Sequence, residues 1–141
     1  MTVHTQIRDR LTRSGIRYTP GRRVVVDALA DADGPLSAQE LGDKLSVPLS
    51  SIYRTLATLT DSGVLTPHLS TKGLARYELA EWLTGHHHHL VCTECGSVED
   101  VDPASVHEHD IERIVAAIAH DASFSVTNHA LEIEGVCAEC R

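Results

Sequence analysis

Helical spacing of apolar residues dominates the first sixty positions, and alternation replaces it further along. Residues 4–14 predict a helix ended by Gly15. Thr19-Pro20 then supplies an N-cap and a proline whose fixed φ suits a first helical turn. Val24, Val25, Ala28 and Leu29 continue that second helix until Gly34-Pro35 breaks it. Ser37-Ala38-Gln39-Glu40 is a capping box, placing Leu41 and Leu45 on one face of a short third helix. Pro48 marks a turn, and residues 50–61 predict a fourth helix. Its buried stripe is Ile52, Leu56 and Leu59; Ser51, Tyr53, Arg54, Thr55 and Thr58 face away. Short strands at 64–68 and 75–79 follow, joined by Ser70-Thr71-Lys72-Gly73. Helix, turn, helix and hairpin is the order of a winged helix, whose second helix of the pair enters the major groove.

Residues 80–85 form a hinge candidate. Beyond it come strands at 87–92 and 97–101, a helix capped by Asp102-Pro103 and running to about residue 120, and a last strand over roughly 124–134. Ile111, Ile114, Val115 and Ile118 are the expected core stripe of that helix. The expected fold class is α+β, with a winged helix-turn-helix domain over 1–79, a hinge, and an α/β domain over 86–141.

Charge sharpens the division. The net −8 splits into +2 for residues 1–79 (ten Lys/Arg, eight Asp/Glu) and −10 for residues 80–141 (two Lys/Arg, twelve Asp/Glu). All four cysteines and eight of the ten histidines lie in the acidic part. Acidic surface repels phosphate, so double-stranded DNA would meet the first domain. No stretch is apolar enough for a membrane span or a signal peptide, so a cytoplasmic protein without a membrane partner is expected. In that compartment cysteines serve better as thiolate ligands than as disulfides.

Cys92 and Cys95, with Cys137 and Cys140, form two Cys-x-x-Cys pairs, the full ligand set of a closed tetrahedral zinc site. Four consecutive histidines just upstream exceed the needs of that site. On a strand they alternate, so His86 and His88 share one face while His87 and His89 share the other. One run can therefore serve two ions. His107 shares the apolar stripe of its helix, and His129 alternates with Leu131 and Ile133; both are candidate inward ligands, whereas His109 and His120 fit no stripe. In the first domain, Tyr53 and Arg54 lie near the exposed start of the recognition helix, with Arg17, Arg22, Arg23 and Lys72 within reach of phosphates. A zinc hydrolase would need an open zinc position beside a general base, and no His-Glu-x-x-His helix or Ser/His/Asp arrangement is present. Neither an enzyme nor a small-molecule substrate is expected. A metal store would have no use for a winged helix.

The segments Gly-Ile-Arg-Tyr-Thr-Pro-Gly-Arg (15–22), Leu-Ser-Ala-Gln-Glu-Leu (36–41), Ser-Ile-Tyr-Arg-Thr-Leu (51–56), Arg-Tyr-Glu-Leu (76–79), His-His-His-His-Leu-Val-Cys (86–92) and Asn-His-Ala-Leu-Glu-Ile (128–133) resemble the ferric uptake regulator (Fur) family of metal-dependent repressors. The histidine run and the closing Leu-Glu-Ile-Glu-Gly-Val-Cys-Ala-Glu-Cys look most like its zinc-sensing (Zur) members. The resemblance implies a homodimer through the C-terminal domains, acting on a palindromic operator of metal-uptake genes, with Tyr53 and Arg54 contacting DNA and Ser51, Thr55, Arg17, Arg22 and Lys72 around them. It carries the structural zinc onto Cys92, Cys95, Cys137 and Cys140. A second site matches His86, His88, His107 and His129; many members have Glu at position 107, and neighbouring Glu108 points about a third of a turn away. A regulatory hinge site matches Glu78, His87 and His89, with His68 or Glu81 completing it. Zinc is the first choice of effector, and the absence of sulfur from the hinge set leaves iron(II) or another divalent ion as the alternative.

Overall fold

The computed structural model describes residues 1–69, 73–102 and 104–141. Lys72, the turn at 70–72 and Pro103 of the expected helix cap lie outside them. The chain divides into two compact units, Met1–Gly85 and His86–Arg141.

In the first unit, α1 (Val3–Arg13), α2 (Pro20–Ala30) and α3 (Ala38–Leu45) begin where a side chain takes up an orphan amide, whereas α4 (Leu49–Asp61) starts after Pro48 without a side-chain cap. Thr19 Oγ1 accepts from the Arg22 N–H at 3.3 Å. At α3 the capping box closes from both sides: Ser37 N–H donates to Glu40 at 2.7 Å, and Glu40 N–H donates to Ser37 Oγ at 3.1 Å. The helices converge on one apolar core through Ile7, Leu11, Val26, Leu41, Ile52, Leu56 and Leu59. Each such residue contributes about 1.5–3 kcal/mol by leaving water, far more than the few tenths separating most helix propensities, so packing decides which face of each helix turns inward.

The wing is β2 (Leu65–Leu69) paired antiparallel with β3 (Ala75–Leu79), in register from Leu65↔Leu79 to Leu69↔Ala75. A two-residue strand missing from the sequence reading, β1 (Leu36–Ser37), adds to the other edge of β3. It is tied there by Arg76, 8% exposed, whose Nη1 donates to both Glu40 oxygens at 2.9 and 2.8 Å. Burial alone would raise the Glu40 carboxyl, but the Ser37 amide and the Arg76 guanidinium outweigh it and hold it below its ordinary range. Residues 81–84, expected as part of a hinge, form a short helix α5 (Glu81–Thr84) with Leu83 packed on the core of the first unit.

In the second unit, β4 (His88–Cys92) is the central strand of a three-stranded sheet. It pairs antiparallel with β5 (Val98–Val101) and parallel with β6 (Glu132–Gly135). The expected last strand over 124–134 contracts to β6, because the chain leaves α6 (Ser105–Asp121) through Ser123 in the left-handed region and reaches the sheet only near Leu131. The expected α6 stripe is also redrawn. Ala119 is buried and Ile111 and Val115 are half-buried, whereas Ile114 and Ile118 are 61% and 64% exposed. Among the described residues, the buried apolar side chains of this unit are Val91, Cys92 and Ala119. So small a core holds a sheet and a helix together only with help from other bonds.

Candidate metal centres and nucleic-acid face

Two turns bring the cysteines together. Cys92 ends β4, Cys95 lies on the turn closed by Gly96 N–H to Cys92 O (2.9 Å), and Cys137 and Cys140 flank the turn after β6. Parallel pairing of β6 with β4 carries the second turn to the first, and Thr93 N–H donates to Gly135 O at 2.8 Å to lock them. The four sulfurs lie within 4.8 Å of one another, with Cys95 and Cys137 at 3.9 Å. Sulfurs around tetrahedral zinc are separated by about 3.8 Å, the edge implied by a Zn–S bond of about 2.3 Å. All four thiols are free. Amides of Cys95 and then Cys137 draw the Cys92 thiol down to about 6, and the Ser97 hydroxyl and amide lower Cys95. Cys140 moves the other way, up to about 12, its proton held against the Cys137 and Cys95 sulfurs. The donor set and spacing fit zinc.

The alternation of the histidine run separates two further clusters. On the α6 side, Glu108 reaches three rings. Its oxygens lie 2.7 Å from His88 Nε2, 2.7 Å from His129 Nε2 and 3.2 Å from His86 Nε2, while His86 and His129 approach to 3.1 Å. The hydrogen bond from His88, with that from His129, keeps the Glu108 carboxyl below its ordinary range. Leu131 N–H donates to His88 Nδ1 at 3.2 Å, so here His88 donates from Nε2. Ligation through Nε2 would move that ring proton to Nδ1 and give up the Leu131 bond. His107 is not in the cluster. It is exposed, because the packed face of α6 runs through Glu108, Ile111, Val115 and Ala119, about 100° from His107. The fourth member is therefore Glu108. If this cluster holds an ion, Glu108→Gln is expected to weaken binding there at least tenfold and His107→Ala to leave it unchanged, as titration of the zinc-loaded four-cysteine protein with a second equivalent of metal would measure.

On the other face, the rings of His87 and His89 lie 5.1 Å apart, and their Nε2 atoms lie 3.7 and 3.4 Å from Asp100 Oδ1. Asp100 was missed in the sequence; it is the cross-strand partner of His89 in the β4–β5 ladder. Of the other expected hinge ligands, Glu78 and His68 face one another across the wing at 2.5 Å, and Glu81 is exposed on α5.

In the first unit, Tyr53 (53% exposed) and Arg54 project from α4. Arg54, Ser51, Thr55 and Arg22 line a shallow groove of about 530 Å³ between the start of α2 and α4. Arg22 is aimed by its bond to the Arg17 carbonyl. Among the described residues, no helix is long and apolar enough to cross a membrane.

The family model of the ferric uptake regulator family matches residues 13–134. A zinc uptake regulation protein of Mycobacterium tuberculosis is 35% identical over 137 residues, covering 93% of this chain and 99% of the relative. A ferric uptake regulation protein of Bacillus subtilis is 31% identical over 142 residues, covering 96% and 92%. The solved ferric uptake regulator of Vibrio cholerae superposes with a TM-score of 0.74 at 31% identity, covering 92% of this chain and 98% of that one. With a family model spanning most of the chain and relatives of both metal types above 30% identity, this chain belongs to the ferric uptake regulator family of metal-responsive transcriptional regulators, not to the enzymes.

Proposed function

We propose that the chain is a zinc-responsive repressor, acting in the cytoplasm as a homodimer on a palindromic operator of metal-uptake genes. The observation that carries the metal-responsive part of this reading is the placement of sulfur. All four cysteines are gathered in one closed cage, while the histidine run presents nitrogen donors to two sides, joined by carboxylate oxygens of Glu108 on one and Asp100 on the other. A closed thiolate site braces and exchanges slowly; imidazole and carboxylate donors exchange readily enough to report a metal level. Bound zinc supplies positive charge and a fixed geometry that ties side chains of different elements together.

In this reading Cys92, Cys95, Cys137 and Cys140 hold the structural ion. His86, His88, Glu108 and His129 join β4, α6 and the segment before β6. His87, His89 and Asp100 hold the sensed ion, together with Glu78, which the family resemblance assigns to it, and His68 or Glu81 as the remaining ligand. The exposed apolar residues Ile114, Ile118 and Ile133 of the second unit supply the dimer surface, since this much apolar area is seldom left to water. Tyr53 and Arg54 read bases while Arg22, Arg17, Ser51, Thr55 and Lys72 contact the backbone. The 35% identity to a zinc uptake regulation protein supports zinc. Iron(II) is the second reading, favoured by the sulfur-free donor set of His87, His89 and Asp100.

The test is selection of duplexes from a random pool by the full chain with zinc, with iron(II) and after chelation. Zinc-dependent recovery of a palindrome is expected, and Arg54→Ala is expected to lose about 1–3 kcal/mol of affinity with relaxed base preference. Recovery only with iron(II) would reassign the effector. Failure to enrich any duplex would end the repressor reading.

A further inference from the structure

Residues 80–84 would be a poor linker. Ala80 is buried and its N–H donates to Val64 O at 2.9 Å; Leu83 and Gly85 N–H groups donate to Ala80 O and Glu81 O at 2.9 and 2.8 Å. Trp82, the only tryptophan of the chain, is 43% exposed, so burial alone does not hold it. Its Nε1–H donates to Gly63 O at 2.8 Å, and the Arg10 guanidinium lies over its ring, 4.9 Å from the centroid. Arg10 is itself anchored, its Nε donating to Ser62 O at 2.8 Å. Gly63, at φ +74°, makes room for this. A Cβ there would come within 2.7 Å of Arg10 Nη2. Gly85 differs from everything before it. At φ 88°, ψ 170° it occupies a region open essentially to glycine alone, and a Cβ there would touch nothing within 4 Å.

We propose that Arg10, Trp82 and the Gly63 carbonyl form a latch that fastens α5 to the winged-helix unit, making Gly85 alone the joint through which metal binding at His87 and His89 acts. The proposal rests on the functional reading above. Its physical content is joint length. The probability of closing a flexible segment falls as about the 3/2 power of its length, so freeing residues 80–85 in place of one residue dilutes the effect of the metal by roughly tenfold. Arg10 and Trp82 are positioning residues; neither is assigned to metal or DNA.

The experiment uses full-length wild type, Trp82→Ala, Arg10→Ala and the conservative pair Trp82→Phe and Arg10→Lys. Two quantities are measured: amide hydrogen exchange over residues 80–85, and the ratio of affinities with and without zinc for a duplex selected by the wild-type chain. Both alanine variants are expected to keep their zinc content and zinc-free affinity, to exchange these amides faster, and to lose about tenfold of the zinc-dependent gain. The conservative variants are expected to fall between them and wild type. Unchanged exchange in the alanine variants would overturn the latch. Faster exchange with an undiminished gain would overturn its role in the response. A wild type that gains no affinity from zinc would overturn the functional reading instead, leaving the exchange arm to decide the latch on its own.

Discussion

Cys92→Ser and Cys137→Ser are each expected to leave the second unit unfolded and the chain monomeric, with one zinc per chain lost. The expectation follows from how little else holds that unit. Among the described residues, the first unit has a core of fourteen buried residues. Among the described residues, the second contributes only Val91, Cys92 and Ala119 as buried apolar side chains across 56 positions. At about 25 cal/mol per Å² those few residues do not offset the ordering of that length of chain. Apparent binding free energies of structural zinc sites, about 10–16 kcal/mol at neutral pH, are of the size required. The cage also joins the two ends of the unit, since β6 reaches β4 from the far side of α6 and the turn after it is held by the Cys137 amide on Cys92 Sγ at 3.4 Å. Circular dichroism, zinc analysis and sedimentation check the result. A serine variant that stays dimeric with an unchanged melting temperature would show that the cage does not support the fold.

Removing the two histidine pairs in turn is expected to separate sensing from bracing. His87→Ala/His89→Ala should leave a folded dimer with its cysteine-bound zinc that gains no operator affinity from added metal. The lost coupling is expected at about 1–3 kcal/mol, or roughly 5–150-fold in affinity. His86→Ala/His88→Ala removes groups of another kind. His88 is 2% exposed, accepts from Leu131 N–H and donates to Glu108, so loss of the pair leaves that backbone amide without this acceptor and Glu108 with His129 alone of its three rings. Stability should fall by about 1–3 kcal/mol for such unsatisfied groups, with the metal response kept. Operator binding against free zinc, measured beside thermal melting, distinguishes the two. A metal response that survives the first pair and vanishes with the second would place the sensor on the α6 side of the sheet.

Much of this protein is legible along the chain because its signals are local. Caps at Thr19 and Ser37, the stripe Ile52, Leu56 and Leu59, and the breaks at Gly34-Pro35 and Pro48 depend on residues within a turn or two of one another. The cysteine cage is legible for a related reason, since each Cys-x-x-Cys turn presents two sulfurs by itself and only one ion suits four. The separation of the histidine run into two faces follows from the pleat of a single strand. Tertiary structure decided what no local signal carries. Choosing Glu108 over His107 is a choice of about 100° in helix phase, and α6 has apolar residues on more than one face, so its orientation is set by the sheet it packs on. Asp100 joins His87 and His89 only through the β4–β5 register. The shortening of the last strand to β6 and the addition of β1 to the wing depend on pairings between distant segments. Within residues 80–85, expected as a hinge, Trp82 meets the Gly63 carbonyl and Arg10 nearly twenty and more than seventy positions away, a contact that no local signal carries.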